Sequence, residues 1–146
     1  MNTLATLGEV AKSSIPYISS LIRSENWILR YYSIKALGKF GHDAKIAVPF
    51  LLEELRTENT IPIEDIVMTL GFIGKDAADA IPDIIKKLNE KDINVKIACT
   101  IALGQMGCEA ENSLPYLLLN LKSANRVLRE ESFRSVANIR SDICKK

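Results

Sequence analysis

The segment Gly41–Pro49, with the sequence GHDAKIAVP, decides the fold, because related segments return twice along the chain at an interval of 33 residues. They are Gly74–Pro82 (GKDAADAIP) and Gly107–Pro115 (GCEAENSLP). Gly8 and Pro16 keep the same interval ahead of the first segment. A fixed period of this length is typical of solenoids, in which each unit buries its apolar face on the next unit.

Each repeat unit has the pattern of two helices. The first is predicted from Trp27 to Phe40, where apolar residues recur at helical spacing. Gly41 suits the end of that helix, because glycine readily adopts a left-handed backbone conformation. The second is predicted from Pro49 to about Arg56, since proline suits the start of a helix. The core-facing residues of the second helices are expected to be Val48, Leu51, Leu52, Leu55, Ile81, Ile84, Ile85, Leu88, Leu114, Leu117, Leu118 and Leu121.

The first helices carry a second motif, Leu29-Arg30-x-x-Ser33-x-x-Ala36-Leu37-Gly38. It returns as Val95-Lys96-x-x-Cys99-x-x-Ala102-Leu103-Gly104 and in part as Leu128-Arg129-x-x-Ser132. This pattern resembles the HEAT repeat, and in particular its short phycocyanobilin-lyase-like form, the PBS type. The resemblance covers essentially the whole chain. We therefore predict an all-α fold, a right-handed α-solenoid of HEAT-like helical hairpins with a 33-residue period and about seven to eight helices.

The repeat boundaries predict one domain over residues 1–146. It is expected to comprise a half repeat, three full repeats and a terminal half repeat, at 1–25, 26–58, 59–91, 92–124 and 125–146. The end units of a solenoid need a polar outer face. The last helix, expected from Arg126 to about Ile139, supplies such a face through Arg129, Glu130, Glu131, Arg134, Ser135, Asn138 and Arg140. We therefore expect a complete small solenoid.

The charge balance and the few reactive side chains argue against several classes of function. Lysine and arginine (19) nearly balance aspartate and glutamate (18), so the net charge of +1 argues against a general polyanion binder. We expect a cytoplasmic protein without membrane contact, because no long apolar run or secretory leader is evident. Cys99, Cys108 and Cys144 are expected to be free thiols, and with His42 they lack the spacing of metal ligands. We predict no catalytic residue, no metal site and no cofactor.

The second helices contain the candidate partner-binding residues. In HEAT-like solenoids these helices line the concave face, which is the usual binding surface. The 33-residue interval places aromatic side chains in one row and basic side chains in another, an arrangement suited to a peptide. The candidates are Tyr17, Phe50 and Tyr116, then Arg23, Arg56 and Lys122, and the charged neighbours Glu53, Glu54, Lys86 and Lys87.

These rows also have a purely structural interpretation. The aromatic side chains would then be half-buried packing between repeats, and the acidic and basic neighbours would be cross-repeat surface pairs worth about 0–1 kcal/mol each. The first helices offer a second surface, although packing between repeats would use the same side chains. Its members are Tyr31, Lys35, Met68, Phe72, Ile97 and Ile101.

The predicted function is a non-catalytic protein–protein interaction or scaffold module, which is not an enzyme. Its partner would be a protein or peptide of unknown identity, bound on the concave or convex helical face. The half repeats at both ends suggest end-to-end self-association. A lyase or DNA glycosylase relative is one alternative that the resemblance leaves open. Nucleic-acid binding is another, which the charge balance disfavours; it would use Arg23, Arg56, Lys122, Arg126 and Arg129.

Overall fold

The computed structural model describes residues 3–57 and 61–144, all of which lie in helices or in the short turns between them. Nine α-helices follow one another within these ranges. They are α1 (Thr3–Ser13), α2 (Ile15–Ser20), α3 (Trp27–Phe40), α4 (Val48–Thr57), α5 (Ile63–Ile73), α6 (Ile81–Leu88), α7 (Ile93–Met106), α8 (Leu114–Asn120) and α9 (Arg126–Cys144). The prediction of an all-α chain is confirmed for the described residues, and α3 has the predicted bounds. The expected repeat boundary between residues 58 and 59 lies outside the described residues.

Short 3₁₀ segments join the two helices of each pair. Gly41–Ala47 links α3 to α4, Gly74–Ala80 links α5 to α6, and Gly107–Ser113 links α7 to α8. The described chain therefore runs through five continuous helical segments, with a turn at Ser14 inside the first. The predicted count of seven to eight helices is wrong, because 3₁₀ segments join the two helices of each pair into one continuous helical segment.

The direction change between paired helices is concentrated at two positions of each 3₁₀ segment. The glycine that begins it has a positive φ, of 59°, 81° and 65° at Gly41, Gly74 and Gly107 respectively. Side chains other than glycine disfavour this conformation, so these glycines are required by the backbone. Three residues later an alanine has non-helical backbone angles, and these alanines, Ala44, Ala77 and Ala110, are fully buried.

The turn that leads into a first helix is closed by side chains of the motif. The Asn26 backbone N–H donates to Ser24 Oγ at 3.1 Å, and Asn26 Oδ1 accepts from the Ile28 backbone N–H at 2.9 Å. Arg30 Nη1 then donates to the Ser24 carbonyl at 2.8 Å. A similar arrangement recurs at the start of α9 with Ser123, Asn125 and Arg129, although Asn125 Oδ1 accepts from the Leu128 backbone N–H, three residues on instead of two. The motif arginine therefore has a structural role, because it binds the carbonyl of the preceding turn.

The helices form two layers. The first-helix layer consists of α3, α5, α7 and α9, each packed on the next. The second-helix layer consists of α2, α4, α6 and α8, each packed against the first helix that follows it. Fully buried side chains fill the space between the layers, among them Leu37, Leu51, Leu70, Ile84, Leu103 and Leu117. Burial of these side chains is the main stabilising term of the stack.

Two predictions about burial are wrong at the last helices. Leu118 was expected in the core, but it is 48% exposed, because no further repeat covers α8 within the described residues. Ser135 was expected on the polar outer face, but it is only 3% exposed. It faces α7, where its Oγ donates to the Thr100 carbonyl at 2.7 Å. The inner face of α9 is therefore part of the stack.

Candidate partner-binding surface

The predicted aromatic row lies in the second-helix layer, with very different exposures along it. Tyr17 on α2 is 68% exposed and Tyr116 on α8 is 39% exposed, whereas Phe50 on α4 is half-buried. The corresponding position on α6 is Asp83, which has no ring. The three aromatic side chains therefore do not form a continuous strip.

Arg23 covers the middle ring of this row. Its guanidinium lies 4.6 Å from the centroid of the Phe50 ring, and its Nη2 donates to Glu53 Oε2 at 3.0 Å. A guanidinium over an aromatic face is an attractive cation–π contact. Arg23 and Phe50 were both predicted to contact a partner, but here they contact each other and join the 3₁₀ turn Leu21–Arg23, which follows α2, to α4. A depression of about 370 Å³ lies beside them.

Arg56 repeats this arrangement one unit later. Its Nη2 and Nε donate to the two oxygens of the Asp83 carboxylate at 3.0 and 3.4 Å. The hydrogen bond to Asp83 and its negative charge raise the pKa of Arg56. Arg56 and Asp83 line a depression of about 220 Å³, and Lys86 and Lys87 line it as well. The structure thus brings three predicted basic residues together in one depression between α4 and α6, which Asp83 and Glu90 also line.

The neighbouring charges on α4 face in different directions. Glu53 is exposed and pairs with Arg23, whereas Glu54 is only 8% exposed. Successive residues of a helix are about 100° apart, and here Glu53 faces solvent whereas Glu54 turns towards the buried side. Glu54 was expected among surface pairs and is instead buried. Lys87 Nζ lies 3.0 Å from Glu90 Oε1 at the end of α6.

Tyr116, a predicted site residue, forms an exposed apolar pair on α8 with Leu119, which was not among the predicted site residues. Leu119 is 67% exposed, and Tyr116 lies one turn before it on the same side of the helix. Lys122, a predicted basic residue, follows Leu119 by three positions and is exposed. The position equivalent to Leu119 carries Ser20, Glu53 and Lys86 in the preceding units, so comparison of the repeats is the signal that could have singled it out.

The second predicted surface, on the first-helix layer, is mostly used for packing. Tyr31, Met68, Ile97 and Ile101 are half-buried, while Phe72 is 48% exposed. Lys35 on α3 pairs with Asp65 on α5, with its Nζ 2.5 Å from Asp65 Oδ1. This hydrogen bond is the main reason that the pKa of Lys35 is raised.

The described thiols and carboxylates do not gather into a reactive centre. No group of three or more histidine, cysteine, aspartate or glutamate side chains within the described ranges could hold a metal ion. Cys99 is buried, and burial raises its pKa to about 12, so it stays protonated at neutral pH. Cys108 is half-buried, and the side chain of Cys144 lies outside the described part. Within that part, no helix has the length and apolar character needed to cross a membrane.

Comparisons with known proteins identify the repeat. The family model of HEAT repeats matches residues 48–137. The family model of the PBS lyase HEAT-like repeat matches residues 29–57. No curated protein matches the chain. A crystal structure of an engineered protein is similar, with a TM-score of 0.72 and 18% identity over 89% of this chain. The chain spans 64% of that protein's length, and the likeness concerns the fold alone.

Proposed function

Because the chain belongs to the HEAT-repeat family, we propose that it is a non-catalytic interaction module that binds a protein or peptide on the second-helix layer. We further propose that its hairpins form a right-handed solenoid with a 33-residue period, with this layer on the concave face. The proposed location is the cytoplasm. HEAT repeats are commonly protein-interaction scaffolds, and stacked helical repeats present extended concave surfaces.

The observation that carries the proposal is the exposed apolar pair on α8. Tyr116 and Leu119 have 39% and 67% of their surface exposed, and the position of Leu119 is polar or charged in the preceding units, where it carries Ser20, Glu53 and Lys86. Exposed aromatic and aliphatic side chains bordered by polar groups are typical of binding anchors. Lys122 beside the pair favours a partner segment with an apolar anchor and an adjacent acidic residue.

The charge distribution weighs against nucleic acid as the partner. Arg23 and Arg56 are paired with Glu53 and Asp83, and Arg126 is paired with Glu130. Arg129 donates to the carbonyls of the turn before α9. A protein that binds duplex DNA needs basic side chains directed at successive phosphates. Here four of the five candidate side chains already bind groups of the protein itself.

The proposal is tested by affinity purification with two matched double variants. Tyr116→Ala with Leu119→Ser removes the anchor, whereas Ile28→Ser with Tyr32→Ala removes apolar side chains of α3 that are 46% and 65% exposed. All four side chains are exposed, so circular dichroism should show unchanged helix content. Quantitative mass spectrometry should identify a protein that is lost with the α8 variant and retained with the α3 variant. Equal binding to all three forms would contradict the proposed surface.

A further inference from the structure

The outer end of the stack carries a second apolar surface, separate from Tyr116 and Leu119. It is formed by Phe133 on α9 and by Leu118 and Leu121 at the end of α8. Phe133 is 68% exposed and Leu118 is 48% exposed. Phe133 and Leu121 line a depression of about 380 Å³ together with Arg129, Glu130 and Arg134. We call these six residues the end face.

The equivalent positions of the preceding helices are buried by a neighbouring repeat. Ile34, Val67 and Thr100 stand 99, 66 and 33 residues before Phe133, and each has no exposed surface. Leu52, which corresponds to Leu118, is 9% exposed. The end face therefore occupies the stacking positions of a repeat, but no helix pair among the described residues covers it.

The end face differs from the inner stacking faces at the position of closest approach. A Cβ on Gly71 would lie 2.8 Å from Ala102 Cα, and a Cβ on Gly104 would lie 2.9 Å from Ser135 Cα, so these helices pack as they do only because glycine is present. The equivalent residue of α9 is Ala137, which is exposed. A repeat of the inner type cannot approach α9 as closely. A helix at a wider spacing would leave room for the Phe133 ring.

The charged side chains around Phe133 allow two copies of this surface to pair with each other. Glu130 and Arg134 lie one turn apart on α9 and line the same depression. Within one chain, Arg126 Nε lies 2.8 Å from Glu130 Oε1 and Arg134 Nη1 lies 2.9 Å from Glu131 Oε1. When two copies of α9 cross antiparallel near residue 132, Glu130 of each copy lies opposite Arg134 of the other. A two-fold contact of this kind needs a surface that matches itself, which the end face provides.

We propose that the end face binds the end face of a second copy of this chain, as a two-fold symmetric dimer with the Phe133 rings at its centre. The dimer uses Phe133, Leu118 and Leu121 and not Tyr116 or Leu119, so it goes beyond the proposed partner-binding function and is independent of it. Its symmetry also makes it a closed assembly, because the same end face of each copy is occupied by the other copy.

Sedimentation velocity of the full chain over a wide concentration range tests this dimer. The chain should form dimers at high concentration, and Phe133→Glu should weaken them at least about tenfold, as expected for a central aromatic anchor. Leu118→Asp should act in the same direction. Tyr32→Glu, which changes a 65% exposed tyrosine at the other end of the first-helix layer, should leave the association unchanged. A wild-type chain that stays monomeric, or a Phe133→Glu chain that dimerises as strongly, would overturn the proposal.

Mixing experiments separate the two-fold dimer from end-to-end stacking of repeats. In a two-fold dimer, tagged Phe133→Glu should not co-sediment with the wild-type chain. In head-to-tail stacking the variant would still offer its other end, so mixed dimers would form and Tyr32→Glu would abolish association. Either of these results would overturn the two-fold arrangement, and neither bears on binding through Tyr116 and Leu119.

Discussion

Two interfaces at equivalent positions of the first-helix layer differ in how closely the helices approach. Between α7 and α9, a Cβ on Gly104 would lie 2.9 Å from the backbone Cα of Ser135. Between α3 and α5, a Cβ on Gly38 would meet Phe72 Cδ2 at 3.2 Å. Backbone cannot move aside easily, whereas the Phe72 ring is 48% exposed and has room to turn.

The hydrogen bonds across these two interfaces differ in the same way as the helix spacing. Ser135 Oγ donates to the Thr100 carbonyl at 2.7 Å across the α7–α9 interface. Thr69 Oγ1 lies 3.2 Å from the Ile34 carbonyl across the α3–α5 interface, and it is closer, at 2.8 Å, to the Asp65 carbonyl of its own helix. The repeat motif thus places the same positions opposite each other at both interfaces. The residue opposite each glycine determines how closely the two helices pack.

The largest expected effect is that of Gly104→Ala. It should lower the free energy of unfolding by about 1–3 kcal/mol, because the added methyl group overpacks against the Ser135 backbone. Gly38→Ala should instead preserve or raise stability by up to about 1 kcal/mol, since alanine is the better helix former and Phe72 can yield. Urea unfolding followed at 222 nm measures both. Equal losses at the two positions would contradict the difference between the interfaces.

Removal of the interface hydroxyls should have a smaller effect. Ser135→Ala should destabilise the protein by about 1 kcal/mol, the usual contribution of a hydrogen bond to stability. Thr69→Val should lose less, because its hydroxyl is shared with a carbonyl of its own helix and the side chain keeps its shape. The same unfolding measurement applies. A larger loss at Thr69 than at Ser135 would reverse the assignment of the tighter interface.

Alkaline pH should weaken the stack through Cys99 on α7. Burial raises the pKa of this thiol in the folded chain to about 12, from an ordinary value of 9.0. Its contribution to stability is therefore complete below pH 9, where neither state ionises, and it falls as the pH rises towards 12. At about pH 10 the loss should reach about 1 kcal/mol relative to Cys99→Ala. Cys108→Ala is the control, and it should retain the wild-type pH dependence.

The smallest expected effect concerns the pair between Arg23 and Glu53, whose side chains are 64% and 55% exposed. A double-mutant cycle with Arg23→Met and Glu53→Gln should give a coupling of about 0–1 kcal/mol that declines with added salt. A larger, salt-independent coupling would mean that the surface contacts of α2 and α4 stabilise the stack as much as its buried interfaces do.

Features set within one repeat could be predicted from the sequence. The bounds of α3, the positive φ of Gly41 and the buried face of α4 follow from helical periodicity and the conformational freedom of glycine. These signals are local, so one unit contains them. The 3₁₀ geometry between glycine and proline was missed, because a short run of mixed polar and small residues is equally compatible with a loop.

Features that depend on the adjacent repeat were not predictable in the same way. The contact of Arg23 with Phe50 joins residues 27 positions apart, and it depends on how the turn after α2 lies against α4. The exposure of Leu118 depends on what lies beyond α8, although its own sequence context matches that of buried Leu52. The exposure of the candidate site residues could not be predicted for the same reason, since pairing across repeats determines which side chains face solvent.

The bend within each hairpin has a mechanical consequence. Ala44, Ala77 and Ala110 each interrupt the helical backbone at one residue, between stretches that are otherwise helical. The 3₁₀ segments that contain these residues touch one another along the stack, and the three alanines are fully buried. Because the bends are packed on each other, a rotation at one of them would displace its neighbours. A change in the spacing of the second-helix layer would therefore have to be shared by successive hairpins and could not be confined to one.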